Sequence, residues 1–270
     1  MNPSVAILMP YYNYPIGLAR TLGSLRAETA PFTLYLVDDG SSPPLELNTA
    51  DYPFPIKLFR LEKNAGIEAA LNRGLEEILA DGHDYIARMD TGDLWIAGRL
   101  DIQRDFLISH PDHVLVGSWA ATFDETGAEK FTISYPAEDA AIRRYIYINS
   151  AFCHVAAMFR ADAMRRAGPY ALHYPAAEDY EFFWRLLRHG KGANIPAPWV
   201  RFEITAAVPS ISYHQRRRQL KSRLKIQMRH FNPGLVLSWW GMLRTAILLY
   251  LPQEPLLRVK TWLWGDKLSR

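Results

Sequence analysis

The stretch YIARMDTGD, residues 85–93, places a short apolar run directly before two carboxylates. Residues 85–89 have the length and character of a strand that is covered on both faces. Asp90 and Asp93 follow it, three positions apart. Asp and Gly are common turn formers, whereas hard divalent cations prefer oxygen ligands. The stretch therefore indicates either an ordinary turn at a strand end or a carboxylate pair that holds a metal ion.

Similar strand-like runs alternate with helix-like segments on both sides of this stretch. Strands are predicted at residues 5–9, 33–37, 56–61 and 114–118, and helices at residues 16–25, 67–79 and 98–110. The connections are short, so the pattern predicts an α/β fold with a doubly wound, mostly parallel sheet. Beyond residue 135 the pattern becomes mixed. A helix over 137–148, a strand over 154–159 and a helix that starts near Glu178 are predicted there.

Polar clusters follow three of the predicted strands. They read PYYN at residues 10–13, DDGSS at 38–42 and MDTGD at 89–93. In open α/β sheets, ligands bind at the carboxyl ends of the strands, so these clusters predict one site at one edge. DDGSS has two interpretations. It is a strong turn signal. Alternatively, its carboxylates accept hydrogen bonds from a nucleobase N–H or a ribose hydroxyl.

Two further acidic residues, Glu178 and Asp179, lie in the first turn of the helix predicted over AEDYEFFWRLL. Acidic side chains there offset the helix dipole, which is the structural interpretation. The chemical alternative is a general base that removes a proton from an attacking hydroxyl. His154 begins an apolar run, where a structural role is favoured over catalysis.

Several classes of site lack their sequence signatures. No Cys/His cluster has zinc spacing, and neither a P-loop nor a GxGxxG motif occurs. The single cysteine, Cys153, cannot form an internal disulfide, which indicates a reducing, cytoplasmic compartment. The first residues lack the pattern of a signal peptide.

The length and charge distribution divide the chain. Its 270 residues fit one large domain or a domain with an appendage, and 49% apolar residues are enough for a buried core. We place a boundary near residue 205, between a domain over 1–205 and a helical extension over 206–270. Although the net charge is only +3, an uninterrupted set of cations lies in the extension. This set comprises Arg216, Arg217, Arg218, Lys221, Arg223, Lys225 and Arg229.

The extension has three interpretations. Its basic segment suits an anionic partner, either nucleic acid or a membrane surface. The apolar run over 235–252 is marginal in length for crossing a membrane, and Arg244 makes crossing costly. An amphipathic segment at the membrane interface, with its tryptophans at the headgroups, fits better. Packing on the preceding domain is the alternative.

Six motifs in order resemble those of the inverting family 2 glycosyltransferases of the GT-A fold, and the resemblance covers about residues 3–205. They read VAILMPYYNYP, LYLVDDGSS, RLEKNAGIEAALNRGLE, YIARMDTGDLWIAGRL, VLVGSWAATFDETG and AEDYEFFWRL. The FCHVAAMFR stretch is similar to a family segment that faces the sugar and the acceptor.

The resemblance implies roles for individual residues. Asp179 matches the catalytic base, with Glu178 beside it near the acceptor. Asp93 and Asp90 match the metal-binding motif for Mn²⁺ or Mg²⁺, and Asp90 also borders the nucleotide-sugar. The other residues implied in nucleotide-sugar binding are Pro10, Tyr11, Asn13, Asp38, Asp39, Gly66, Asn72 and Arg73.

The chain departs from the family pattern at the metal motif. Gly92 occupies a position that is often acidic, so Asp93 becomes the main expected ligand. Gly98 replaces a proline that is often found before the arginine. The QxxRW motif of processive synthases is absent, which favours addition of a single sugar.

The resemblance implies transfer of one sugar from a UDP- or dTDP-sugar, with inversion, to a glycan or lipid-linked acceptor in cell-surface polysaccharide synthesis. A peripheral position on the inner face of the cytoplasmic membrane follows from such an acceptor, and nucleic acid is not an expected partner. Two alternatives are a sugar-phosphate nucleotidyltransferase and a non-enzymatic protein that binds anions or membranes.

Overall fold

A computed structural model of the chain describes residues 3–124, 127–203 and 215–251. Within these residues nine strands form one sheet in the order β3-β2-β1-β4-β8-β6-β9-β5, and β7 pairs with β6. The strands are β1 Val5–Tyr11, β2 Thr33–Asp38, β3 Ile56–Arg60, β4 Tyr85–Arg88, β5 Leu94–Trp95, β6 His113–Phe123, β7 Glu129–Ile133, β8 Met158–Arg160 and β9 Lys191–Glu203.

Helices cover both faces of this sheet. They are α1 Pro15–Leu25, α2 Ile67–Ala80, α3 Arg99–Ser109, α4 Asp139–Tyr145, α5 Ala161–Ala167, α6 Glu178–Leu186, α7 Arg216–Arg229 and α8 Val236–Tyr250. Alternate residues of β1 enter two separate cores: Leu8 packs in the core beneath α2, and Ile7 packs in the core beneath α1. This alternation explains why β1 is apolar throughout, since a strand buried on both faces has no solvent side.

The sheet is parallel in its first half and mixed in its second. The strands β3, β2, β1 and β4 are all parallel. β8 is antiparallel to both β4 and β6, whereas β6 and β9 are parallel. The α/β prediction is therefore confirmed, and the parallel part contains the three strands whose polar ends suggested a site.

The predicted strand over residues 154–159 was too long. Residues His154–Ala156 form a single 3₁₀ turn, and β8 begins only at Met158. Side chains of α3 hydrogen-bond to the backbone of this turn: Arg99 donates to the carbonyls of Val155 and Ala157, and Gln103 donates to that of Ala156. Because the carbonyls of Val155 and Ala156 are satisfied by side chains of α3, this part of the segment has no need of a strand partner.

The strand β9 was missed because its sequence contains Pro196 and Pro198, which weaken a strand assignment. The pairing of β6 with β9 accommodates them through shifts of register, one of which separates Ser118 from Trp119.

The helix α7 packs on the preceding domain. Ile226 is buried in the core that also contains α6. Ser222 Oγ donates to the Pro175 carbonyl at 2.9 Å, and Gln227 Nε2 donates to the Tyr147 carbonyl at 3.0 Å. The packing interpretation is thus confirmed for α7. The proposed boundary at residue 205 lies outside the described residues.

The helix α8 packs on α7 and leaves an apolar face exposed. Arg216 of α7 donates to the carbonyls of Leu248 and Leu251 and so satisfies the end of α8. We define the apolar face of α8 by its exposed members: Val236, Trp239, Trp240, Leu243, Ile247 and Tyr250. None of the helices in the described part of the chain has the length and apolar character needed to cross a membrane.

Candidate active site

Three strand ends meet at one edge of the sheet, as the sequence predicted. β1 lies between β2 and β4, and the register pairs Tyr11 with Asp38. The loops that follow are joined to one another: Thr91 Oγ1 donates to the Pro10 carbonyl at 2.7 Å. The backbone N–H of Asn13 donates to Ser41 Oγ, in the loop after β2, at 3.0 Å. The clusters PYYN, DDGSS and MDTGD therefore form one continuous surface.

Asp38 and Asp39 are both buried and hold the walls of this surface. The two oxygens of Asp38 accept backbone N–H groups of Ser41 and Leu45 at 2.9 and 3.2 Å. Those of Asp39 accept the N–H groups of Ala65 and Gly66 at 2.8 and 3.0 Å. The carboxylates thus order the turn after β2 and the turn before α2, which lie side by side at this edge of the sheet.

Gly66 lies at the start of α2 with a φ of 95°. This left-handed conformation favours glycine, and it directs the backbone N–H toward Asp39. Gly66 therefore belongs to the same wall as Asp39, and its contact with a nucleotide stays a prediction.

Two other residues predicted to border the nucleotide make protein contacts within and beneath α2. Asn72 uses both ends of its amide on the backbone of Tyr170, at 2.9 and 2.7 Å. Arg73 forms an ion pair with Glu77 and lies over the ring of Phe59. The structure therefore gives these side chains structural partners, and their contact with a nucleotide stays a prediction.

Asp90 is held by cations on both of its oxygens. Oδ1 is 2.7 Å from Arg88 Nη2, and Oδ2 is 2.8 Å from His154 Nε2. Burial alone would raise the pKa of Asp90, but Arg88 and His154 hold it well below its usual range. Asp90 is therefore a carboxylate whose charge is already balanced by the protein.

Asp93 is the opposite case. Its carboxylate has no hydrogen bond or ion pair with the described residues, and its pKa is raised to about 8 by burial and by neighbouring Asp90. A partly enclosed carboxylate of this kind is stabilised by a cation that the protein itself does not supply. This chemistry fits a divalent metal, and the role of Asp93 as its ligand stays a prediction.

The backbone conformation and the neighbours of residue 92 favour glycine over an acidic residue. Its φ is 107°, and a Cβ atom there would lie 2.9 Å from Cε1 of Tyr14. The turn is also fixed by Thr21 of α1, whose hydroxyl accepts the N–H of Gly92 at 2.9 Å and donates to the Asp93 carbonyl at 2.8 Å. In this chain the motif therefore has a tight, glycine-dependent shape.

His154 joins the acidic motif to the predicted base. Its Nε2 contacts Asp90, and its Nδ1 is 3.8 Å from Asp179 Oδ2. Burial alone would lower the pKa of His154, but the carboxylates of Asp90 and Asp179 raise it to about 9. The sequence favours a structural role for this residue, and these contacts add a link between two acidic residues of the candidate site. The sequence signal for this link is the place of His154 in FCHVAAMFR, the stretch that resembles an acceptor-facing segment.

Glu178 and Asp179 open α6, as predicted. Glu178 Oε2 is buried without a hydrogen-bond partner in the described residues. Burial, followed by the charge of Asp179, raises the pKa of Glu178. Asp179 faces His154, so the two adjacent acids have different surroundings. Asp179 is the carboxylate that lies beside the metal motif.

No group of three or more His, Cys, Asp or Glu side chains in the described residues is placed to hold a metal by itself. A metal ion bound at Asp93 would therefore take most of its ligands from groups other than these side chains. Magnesium and manganese sites of this kind commonly take their remaining oxygens from substrate phosphates.

The sheet, the two core layers and the acidic edge have the architecture expected of the GT-A fold. Residues 6–168 match the family described as Glycosyl transferase family 2. This chain belongs to glycosyltransferase family 2. The family match supports neither of the two alternatives, the sugar-phosphate nucleotidyltransferase or the non-enzymatic binding protein.

Three individual proteins illustrate the similarity. The chain is 30% identical over 249 residues to the amylovoran biosynthesis glycosyltransferase AmsE of Erwinia amylovora, covering 90% of each chain. It is 31% identical over 202 residues to an Escherichia coli UDP-Gal:α-D-GlcNAc-diphosphoundecaprenol β-1,3-galactosyltransferase, covering 72% of each. The mannosyltransferase PcManGT from Pyrobaculum calidifontis, solved with GDP-Man and Mn²⁺, has a TM-score of 0.62 at 17% identity, covering 98% of this chain and 81% of that one.

Proposed function

We propose that this chain transfers one sugar from a UDP- or dTDP-sugar to a hydroxyl of a lipid-linked glycan, with inversion, in bacterial cell-surface polysaccharide synthesis. The observation that carries the proposal is the bridge made by His154. It lies between Asp90 of the metal motif and Asp179 of α6. The proximity of these two carboxylates to one histidine supports a leaving-group site at Asp90 and Asp93 with the base at Asp179.

The donor site is the cleft at the edge of the sheet. Its walls are the loops ordered by Asp38 and Asp39, with Pro10, Tyr11 and Asn13 at its floor. The Escherichia coli relative is named for UDP-Gal, which supports a uridine nucleotide as the donor.

A divalent cation, Mn²⁺ or Mg²⁺, is proposed at Asp93. When bound, such an ion offsets the negative charge that grows on the leaving diphosphate. The unpartnered carboxylate of Asp93 supports this placement, and so does the Mn²⁺ in the structure of PcManGT. Asp90 is the second acidic residue of the proposed site, and its two oxygens are held by Arg88 and His154.

Asp179 is the proposed general base. Its carboxylate takes the proton of the acceptor hydroxyl as that oxygen forms a bond to the anomeric carbon. The bond from that carbon to the diphosphate oxygen breaks at the same time, and the nucleoside diphosphate leaves. A single displacement of this kind inverts the configuration. His154 orients Asp179 through Nδ1, and it is a positioning residue in this scheme.

The acceptor and the location of the protein are proposed from the relatives and from α8. Two relatives are named for sugar-diphosphoundecaprenol acceptors, which are membrane lipids. The apolar face of α8 carries two tryptophans, which suit the headgroup region. Cations on α7, including Lys221 and Lys225, are exposed and suit anionic lipids. We therefore propose a peripheral position on the inner face of the cytoplasmic membrane.

The base assignment is tested by Asp179→Asn with a panel of UDP- and dTDP-sugars and a glycosylated lipid acceptor. Transfer should fall by about a thousandfold, within the usual range for loss of an acid–base group. UDP affinity should stay within about twofold, because Asp179 lies on the acceptor side. Asp105→Asn, on the exposed face of α3, is the matched control. Full turnover by Asp179→Asn would contradict the assignment.

The metal and membrane proposals have separate tests. Asp93→Asn should abolish stimulation of the chelated enzyme by Mn²⁺ or Mg²⁺, and metal-stimulated turnover in that variant would reject the site. Replacing Trp239 and Trp240 by serine should reduce sedimentation with vesicles that contain phosphatidylglycerol. Unchanged sedimentation would reject α8 as the contact. The anomeric configuration of the product, read by NMR, tests inversion.

A further inference from the structure

Two arginines of the C-terminal helices are unpaired at the side of the site. No acidic side chain of residues 3–124, 127–203 or 215–251 forms an ion pair with Arg223 of α7 or Arg244 of α8. Arg244 Nη1 is buried and lacks a hydrogen-bond partner in those same residues. Cationic groups that are enclosed without a partner are costly, so an anion from outside the chain is the natural complement.

The contacts between α7 and α8 bring Arg223 and Arg244 to the same level of the helix pair. The two helices meet where Gly241 of α8 faces Gln227 of α7, and they meet again where Arg216 donates to the Leu248 carbonyl. Arg223 and Arg244 lie between these two contacts. Burial is the largest effect that lowers the pKa of Arg223, the charge of Arg244 accordingly lowers it further, and the charge of Asp179 acts in the opposite direction. One anion between the helices would therefore stabilise both guanidinium groups.

Packing fixes the helices that carry these arginines. Gly241 of α8 lies so close to α4 that a Cβ atom there would be 2.0 Å from the carbonyl oxygen of Tyr147. Gln227 of α7 donates to the same carbonyl at 3.0 Å. Both helices are thus held against the segment that follows α4, which fixes the backbone positions from which their arginines extend.

An open groove of about 520 Å³ lies between α4 and the start of α8. Its lining is mostly apolar, formed by Pro136, Ala140, Ala141, Tyr145, Ile148 and Leu237, together with the charged residues Glu138 and Arg144. Tyr145 belongs both to this groove and to the surroundings of Arg223. Leu237 lies beside Val236, at the beginning of the apolar face of α8. The groove therefore connects the arginine pair with the apolar face.

We propose that Arg223 and Arg244 bind the diphosphate of a lipid-diphosphate acceptor and that the groove holds the first part of its lipid chain. The proposal rests on the proposed function, which it deepens. The acceptor sugar would lie between Asp179 and the arginines, because one sugar ring separates the attacking hydroxyl from the diphosphate. Guanidinium groups suit this role because they bind phosphate oxygens in a bidentate manner.

The proposed diphosphate site is distinct from the charge that would face a membrane. Arg217, Lys221 and Lys225 are exposed on α7. Arg223 is half-buried and faces α6 and α4. Exposed cations attract anionic lipid through long-range charge, whereas an enclosed pair can order a single diphosphate. The two sets of cations therefore have different partners and respond to different probes.

The test measures binding of farnesyl diphosphate and of farnesol to the full chain, with saturating UDP and Mg²⁺ present to occupy the donor cleft. Arg223→Gln and Arg244→Gln should each weaken farnesyl diphosphate binding about tenfold, the effect of one charged hydrogen bond. Binding of farnesol should be unchanged. Arg166→Gln, an exposed cation of α5 whose ion pair with Asp162 is also exposed, is the matched control and should bind farnesyl diphosphate as wild type does.

The groove is tested with Ala141→Trp, which should weaken binding of farnesyl diphosphate and of farnesol and leave UDP affinity unchanged. UDP affinity also reports correct folding of each variant. If Arg223→Gln fails to bind UDP, Arg223→Lys is measured instead. It keeps the charge but loses bidentate geometry, so it should still weaken farnesyl diphosphate binding several-fold.

The outcomes separate the two proposals. If wild-type protein binds neither UDP nor dTDP, the proposed function is wrong. If UDP binds but farnesyl diphosphate does not, the acceptor site proposed here is wrong. It is equally wrong if the Arg223 and Arg244 variants bind farnesyl diphosphate as well as Arg166→Gln does. A fall confined to the arginine and groove variants, with UDP affinity retained, supports the acceptor site.

Discussion

His230, at the end of α7, makes docking of this helix sensitive to acid. Its ring stacks on Trp184 with centroids 4.3 Å apart, and its Nε2 is buried without a partner in the described residues. Burial lowers its pKa from 6.5 to about 4, and the charges of Arg188 and Arg229 act in the same direction. The folded protein therefore binds a proton at His230 less readily than the unfolded chain does.

The sign of the effect follows from linkage. The folded pKa is depressed, so the stability is fully present above pH 6.5 and is lost as the pH falls toward 4. With these two pKa values, the loss between pH 7 and pH 4.5 is about 2 kcal/mol in the free energy of unfolding. The prediction concerns only the part of the loss that His230 causes, because other groups also titrate between pH 7 and pH 4.5.

His230→Phe is the informative variant, since phenylalanine can stack on Trp184 but cannot be protonated. Urea unfolding at pH 7 and at pH 4.5 should show that wild type loses about 2 kcal/mol more than the variant between these values. His83→Phe, in the loop before β4, serves as a comparison for a second histidine whose pKa is lowered by burial. Equal losses in wild type and His230→Phe would refute the reasoning.

Three other substitutions test the site and its supports. Gly92→Asp should not create a better metal site, because the left-handed turn and the contact with Tyr14 should destabilise the protein by about 1–3 kcal/mol; a gain in metal-dependent transfer would contradict this. Asn72→Ala should cost about 2–4 kcal/mol in thermal or urea unfolding, because two hydrogen bonds to the backbone of Tyr170 are lost, while UDP affinity changes little; a large loss of UDP affinity would instead support the predicted nucleotide contact. His154→Gln should lower kcat by about ten- to a hundredfold with little change in the KM for the donor; an unchanged kcat would remove its positioning role.

The edge of the sheet could be predicted from sequence because it depends on local patterns. Apolar runs of strand length ended in PYYN, DDGSS and MDTGD, and parallel strands direct their ends to one side. The acids of α6 were also recognisable, since Glu178 and Asp179 open a helix whose following residues are apolar. These features follow from neighbouring residues in the chain.

The contacts that complete the site depend on distant residues. His154 contacts Asp90, 64 positions away in sequence, and no local pattern specifies that contact. Asn72 lies in a segment that resembles a nucleotide border, but its amide is used by Tyr170, 98 positions away. A motif predicts which residues are near a site, whereas their final partners depend on the packing of the whole domain.

The extension was ambiguous for a related reason. Apolar residues at helical spacing suit both a protein surface and a membrane surface, and α7 contains both kinds of environment. Ile226 is buried in the core, whereas Met228 is 58% exposed. Periodicity identifies an apolar stripe, but only the shape of the partner surface decides which members of the stripe are covered.

The hydrogen bond from Ser222 to Pro175 has a practical consequence for work on this protein. Pro175 lies in the loop that leads into α6, two positions before the α6 N-cap residue Ala177, and Ala176 between them has a φ of 59°. A positive φ at alanine is strained and persists only when its surroundings hold it. Truncation near residue 205 would remove the serine that helps to hold this loop. Loss of activity after truncation would therefore not measure membrane attachment, and a minimal catalytic fragment needs to retain α7.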